Sequence, residues 1–139
     1  AMPNNPNDYR TDEEKKYFAP DLNKYLHELT KEMTVINLDT VQYKRSLGAL
    51  RLIEYKHSKE HMGEQQFNVL KHLANLCRWL MDSPLLPNQK SRTHKQLGVY
   101  VVRGDYPFDK VVVSDLIEDK DYTLTKDQFE QWAQFRRAL

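Results

Sequence analysis

A chain of 139 residues with a formal net charge of +1 has the size of one domain, built on a single core of a sheet and a few helices. Hydrophobic residues at 40% and charged residues at 29% exclude a disordered chain, and no apolar run reaches the roughly 20 residues that cross a bilayer. The near-even charge balance neither demands nor excludes a nucleic-acid partner, because placement of charge matters more than its sum.

Cys77 is the one cysteine and cannot form an internal disulfide. In an apolar helical stretch it reads as a small buried hydrophobe in a reducing compartment. With no signal-peptide pattern, the expectation is a cytoplasmic protein without a membrane partner. Ala1, ahead of Met2, reads as a leftover of a tag and is set aside.

Residues 1–10 are polar and broken by Pro3 and Pro6, so they are expected to be a flexible tail ahead of a single domain over 11–139. Thr11 and Glu14 have the spacing of a capping box, opening a short helix that Pro20 stops. A second helix is expected from Asp21 to about Glu32, on the spacing of Leu22, Tyr25, Leu26, Leu29 and Met33. Thr34–Tyr43 is rich in β-branched residues and reads as a strand, Arg45–Gly48 as a hairpin loop, and Leu50–His57 as the returning strand. Gly63–Asp82 is the longest helix, with an apolar stripe from Phe67 through Leu70, Leu73, Ala74, Cys77 and Leu80 to Met81. Trp79, Trp132 and Phe135 lie on helical stripes and read as core. A basic loop follows, carrying Lys90, Arg92, His94 and Lys95, which could grip phosphates. Leu97–Arg103 and Lys110–Ser114 are short strands, and Thr125 with Gln128 caps a last helix. The expected fold is α/β, a mixed sheet with helices on its faces, in the order α-α-β-β-α-β-β-α.

The chemistry concentrates on the first hairpin. With Arg45–Gly48 as the loop, Lys44 pairs with Ala49, and counting outward puts Asp39 opposite Glu54. Directly opposed residues have β-carbons roughly 5 Å apart, and two carboxylates at that distance repel unless a cation lies between them. Oxygen-only ligation of this kind suits Mg²⁺ or Mn²⁺. Lys56 shares the face of Glu54, because side chains alternate along a strand. An ammonium there can act on an attacking water or on charge building on a phosphate. Leu50, Leu52, Val35 and Val41 lie on the face of the acids, which is therefore expected to be largely covered. No histidine has metal-ligand spacing with Cys77 or with another histidine, so no zinc site is expected.

Asp39, a strand return, and then Glu54-Tyr55-Lys56 followed by a helix resemble the PD-(D/E)XK nuclease superfamily, over roughly residues 11–82. Leu38 stands where that motif has its proline, and Leu70 where some exonuclease branches have a tyrosine, which leaves endonuclease against exonuclease open. The resemblance implies a restriction-endonuclease-like core and hydrolysis of phosphodiester bonds in DNA, or RNA, with a divalent metal. It implies Asp39 and Glu54 as metal ligands, Lys56 as catalytic, Gln66 beside the active site, and Glu14, with Glu28 behind it, as a further metal-assisting acid. Many members of this fold cut two strands as two copies, which makes a homodimer an expectation. The alternative is an inactive nucleic-acid-binding or protein-interaction module on the same fold, as in a phage or mobile-element accessory protein. The intact Asp/Glu/Lys set favours the enzyme.

Overall fold

The computed structural model of the protein describes residues 22–29, 36, 38–85 and 96–139. The chain divides into two compact units, residues 1–37 and 38–139. In the first, the described element is helix α1 (Leu22–Leu29). Tyr25 and Leu29 on its expected apolar stripe are exposed, as is Glu28. The expected tail, the Thr11–Glu14 capping box and the extension of α1 toward Glu32 lie outside the described residues, as does the basic loop with Lys90, Arg92, His94 and Lys95.

The second unit is a mixed α/β fold around one five-stranded sheet. Strands β1 (Thr40–Lys44) and β2 (Ala49–Lys56) form the expected hairpin, antiparallel, with Lys44 opposite Ala49 and Thr40 opposite Ile53. The turn is a 3₁₀ stretch, Arg45–Leu47, closed by Gly48 in the left-handed region at φ 57°. That conformation favours glycine, and its N–H donates to the Arg45 carbonyl at 3.1 Å. Helix α2 (Glu64–Asp82) then crosses over to β3 (Gln96–Arg103), which runs parallel to β2 with Glu54 beside Val101. Strands β4 (Lys110–Asp115) and β5 (Lys120–Thr125) complete an antiparallel meander, and helix α3 (Lys126–Ala133) follows. The strand order in the sheet is β1-β2-β3-β4-β5.

The element order differs from the expected one. Residues 38–139 read β-β-α-β-β-β-α, with β5 in place of the loop expected between Lys110–Ser114 and Thr125. The β5 sequence, Lys-Asp-Tyr-Thr-Leu-Thr, buries only Leu124 fully and turns its polar residues outward at the sheet edge. Strand propensity is weak there, and pairing with β4 makes the strand.

Alternation divides the sheet into two faces. Ile53, Val102, Val111, Val113 and Leu124 gather on one face around Trp132 of α3, with Tyr55, Tyr100, Phe108, Tyr122 and Phe129 packed at the margin. Val99 and Val101 alternate to the other face, which α2 covers with Leu70 and Ala74, both fully buried. Each buried valine or leucine contributes roughly 1.5–3 kcal/mol of transfer free energy. The link from α2 to the β4–β5 turn is polar: Lys71 donates to the Leu116 carbonyl at 3.0 Å and pairs with Asp119, and Arg78 donates to the Ile117 carbonyl. The expected core differs at Trp79, which is 65% exposed on the outer side of α2, whereas Trp132 is 2% exposed.

Candidate active site

Among the described residues, Glu54 and Lys56 are the buried charged ones, 4% and 9% exposed. Their position follows from β2 being second in the sheet, flanked by β1 and β3, while α2 covers the face to which their side chains alternate. Val41, expected to help cover that face, is 56% exposed, because β1 is the edge strand. Cover reaches Glu54, which Gln66 of α2 meets, and does not extend to Asp39, which is exposed.

Asp39 lies just ahead of β1, one step beyond the Thr40–Ile53 pair, where continued pairing would set it opposite Glu54. Its Oδ2 accepts the Tyr55 backbone N–H at 2.9 Å. The side chain thus takes the place of a ladder carbonyl at the end of the hairpin, which holds an otherwise exposed carboxylate beside β2. Gln66, in the first turn of α2, donates from Nε2 to Glu54 Oε1 at 2.7 Å. Lys56 Nζ stands 3.8 Å from the same Oε1. The four residues picked out from the sequence, Asp39, Glu54, Lys56 and Gln66, are thus brought together. Glu14, Lys90, Arg92 and Lys95 lie outside the described residues, and Glu28 belongs to the first unit.

The electrostatics centre on Glu54. Burial and the Asp39 charge push its pKa up to about 7; Lys56 pulls the other way, a hydrogen bond to Asp39 adds to the rise, and the Gln66 hydrogen bond opposes it. Glu54 Oε2 is buried with no hydrogen-bond donor. A carboxylate oxygen in that position takes a proton or a cation. The donor set is oxygen only and hard, which fits Mg²⁺ or Mn²⁺ better than a softer ion. Among the described residues no three His, Cys, Asp or Glu side chains form a metal-binding group, so these residues offer a cation two carboxylates and leave other positions to water.

Glu60 is the member that the sequence reading missed. Its Oε2 accepts from Lys56 Nζ at 3.0 Å, a shorter contact than that between Lys56 and Glu54, and its Oε1 accepts the His57 N–H at 3.3 Å. Hydrogen bonds from Lys56 and His57 hold its carboxyl below the usual carboxylate range. The Glu60 N–H donates to the His57 carbonyl at 3.0 Å, and Arg103 Nη1 donates to the Glu60 carbonyl at 2.6 Å, so the residue is held at backbone and side chain alike. The signal was the four-residue step from Lys56 to Glu60, which has meaning only once the segment after β2 is known to turn. No family model matches the chain, and comparison with curated proteins and with solved structures finds no match.

Proposed function

We propose that the second unit is a divalent-metal-dependent nuclease of the PD-(D/E)XK kind, hydrolysing phosphodiester bonds in DNA in preference to RNA. The observation that carries this reading is the buried Glu54 carboxyl, with one oxygen lacking a donor, set between Asp39 and Lys56. A restriction-endonuclease-like core is supported by the hairpin that bears Asp39 and Glu54-Tyr55-Lys56, followed by a helix with Gln66 and a strand parallel to β2.

Asp39 and Glu54 would hold the metal, which would supply a Lewis acid to polarise a phosphoryl oxygen and make water a better nucleophile. Lys56 stands against Oε1 of Glu54, the oxygen that Gln66 also holds, and would present an ammonium to the attacking water or to the growing charge on the phosphate. Gln66 orients Glu54 by holding Oε1, and Oε2 is the oxygen that would remain for a cation. Glu60 draws Lys56 to its far side and orients the ammonium.

The test is incubation of the full chain with single-stranded, duplex and branched DNA and with RNA, in Mg²⁺ or Mn²⁺. Cleavage should fall by at least about 10²-fold in Lys56→Ala and in Glu54→Ala. Millimolar Mn²⁺ should raise the melting temperature of the wild type and leave that of Asp39→Ala unchanged. Cleavage that survives in both alanine variants, or no cleavage of any of these substrates, overturns the proposal.

A further inference from the structure

On the other face of the sheet from Glu54, Arg51 donates from Nη1 to the Trp132 carbonyl at the end of α3, at 2.6 Å. Its guanidinium carbon lies 4.3 Å from the centre of the Trp132 ring and 3.8 Å from that of Phe135. These contacts fix the plane of the fork. A guanidinium carries five N–H donors, and among the described residues Arg51 has no ion pair and no second acceptor. Burial works against its charge. The side chain is therefore half-buried and held in place, with most of its donors unspent.

Beside it opens a cavity of about 250 Å³ whose lining includes Arg51, Gly98, Tyr100, Asp115, Tyr122 and Trp132. Gly98 stands next to Arg51 in the β2–β3 register and contributes no side chain to the space. A Cβ there would collide with the Tyr100 ring. Burial first, and then the charge of Asp115, raise the pKa of Tyr100, so its hydroxyl stays protonated and able to donate. Asp115 lies two strands from Arg51, a separation of roughly 9–10 Å across the sheet. Its Oδ1 accepts the N–H groups of Ile117 and Glu118, and Oδ2 takes no part in that turn.

We propose that this cavity is a binding site for a compact oxyanion-bearing ligand, a carboxylate or a phosphate, gripped by the free edge of the Arg51 fork against the aromatic wall. A planar fork matches both oxyanions through paired N–H donors, which a point charge such as lysine does not. The volume lies below the roughly 300–1,000 Å³ of drug-sized sites and sets a small upper size for the ligand. Asp115 repels a second negative group, so the ligand carries its charge at one end and an N–H or O–H at the other. This site shares strand β2 with the Glu54 carboxyl but faces the other way, and it does not depend on the nuclease reading.

The experiment is an amide-resolved NMR titration of the full chain at fixed ionic strength with inorganic phosphate, benzoate and adenosine monophosphate. At least one probe should saturate, with shifts centred on the Gly98 amide and the Trp132 indole, and the one that does identifies the source of the oxyanion. Affinity should weaken at least tenfold in Arg51→Lys, which keeps the charge without the fork. The same loss is expected in Ala138→Trp, which fills the cavity from an exposed lining position. Arg51 also ties α3 to the sheet, so if Arg51→Lys fails to fold, Ala138→Trp decides alone. No saturable shift with any probe, or undiminished binding in Ala138→Trp, overturns the site.

Discussion

A carboxyl group removed from water must find donors, a proton or a cation, and Glu54 has only part of what it needs. Gln66 and Lys56 serve Oε1, while Oε2 has no donor. Its pKa of about 7 against a free value of 4.5 has a direct consequence for stability. Between those two values the native state keeps a proton that the unfolded chain has already released. Stability from this group is complete below about pH 4.5 and is lost as the pH rises to about 7. Glu54→Gln cannot ionise and keeps the shape of the side chain, so it should flatten that decline. It should exceed the wild type at about pH 8 by at most about 3 kcal/mol. Urea midpoints measured across this range check the point, and parallel curves for the two proteins would refute it. Asp39, Glu54 and Lys56 were legible from the sequence because a short hairpin loop fixes register by counting and side chains alternate along a strand, and the observed pairs follow that count, whereas Gln66 came from the resemblance alone. Glu60 was not legible, since its role depends on a turn that no pattern of types announces.

Among the elements, α2, α3 and the first hairpin could be read from local signals: an apolar stripe on α2, a capping box on α3 and Gly48 in the hairpin turn. The capping box at Thr125 is formed in full, with the Gln128 N–H donating to Thr125 Oγ1 at 3.2 Å and the Thr125 N–H donating to Gln128 Oε1 at 3.0 Å. Strand β5 has no such signal; it exists because β4 offers it a partner. Gly98 likewise has a meaning that only packing shows. Its neighbour Tyr100 meets Trp132 edge-on with ring centres 5.1 Å apart, so the Tyr100 ring has little room to retreat. Gly98→Ala should therefore cost about 1–3 kcal/mol in chemical denaturation, as overpacking does, although alanine suits a strand better than glycine. A change within about 0.5 kcal/mol would show that the ring moves aside freely.

At the scale of the molecule, helical periodicity on α2 identified a helix but did not say how much of its stripe is covered. Phe67 and Leu80 of that stripe stay exposed, as does Trp79, and within α2 only Leu70 and Ala74 are fully buried. The two tryptophans make this measurable. Trp132→Phe, which leaves Trp79, should give red-shifted emission readily quenched by acrylamide, and Trp79→Phe should give the reverse. Equal quenching in the two variants would contradict the assignment of the faces. The parallel pairing of β2 with β3 bears on how the chain acquires its chemistry. The β1–β2 hairpin closes a short loop, whereas joining Ala49 to Gln96 must enclose the whole of α2, a far costlier closure in chain entropy. The hairpin therefore precedes the crossover, and a chain that has folded only that far carries its acids and lysine in water, hydrated and ordinary. The burial that raises the Glu54 pKa therefore waits on a contact between residues nearly fifty positions apart, and a half-folded chain titrates like a free one.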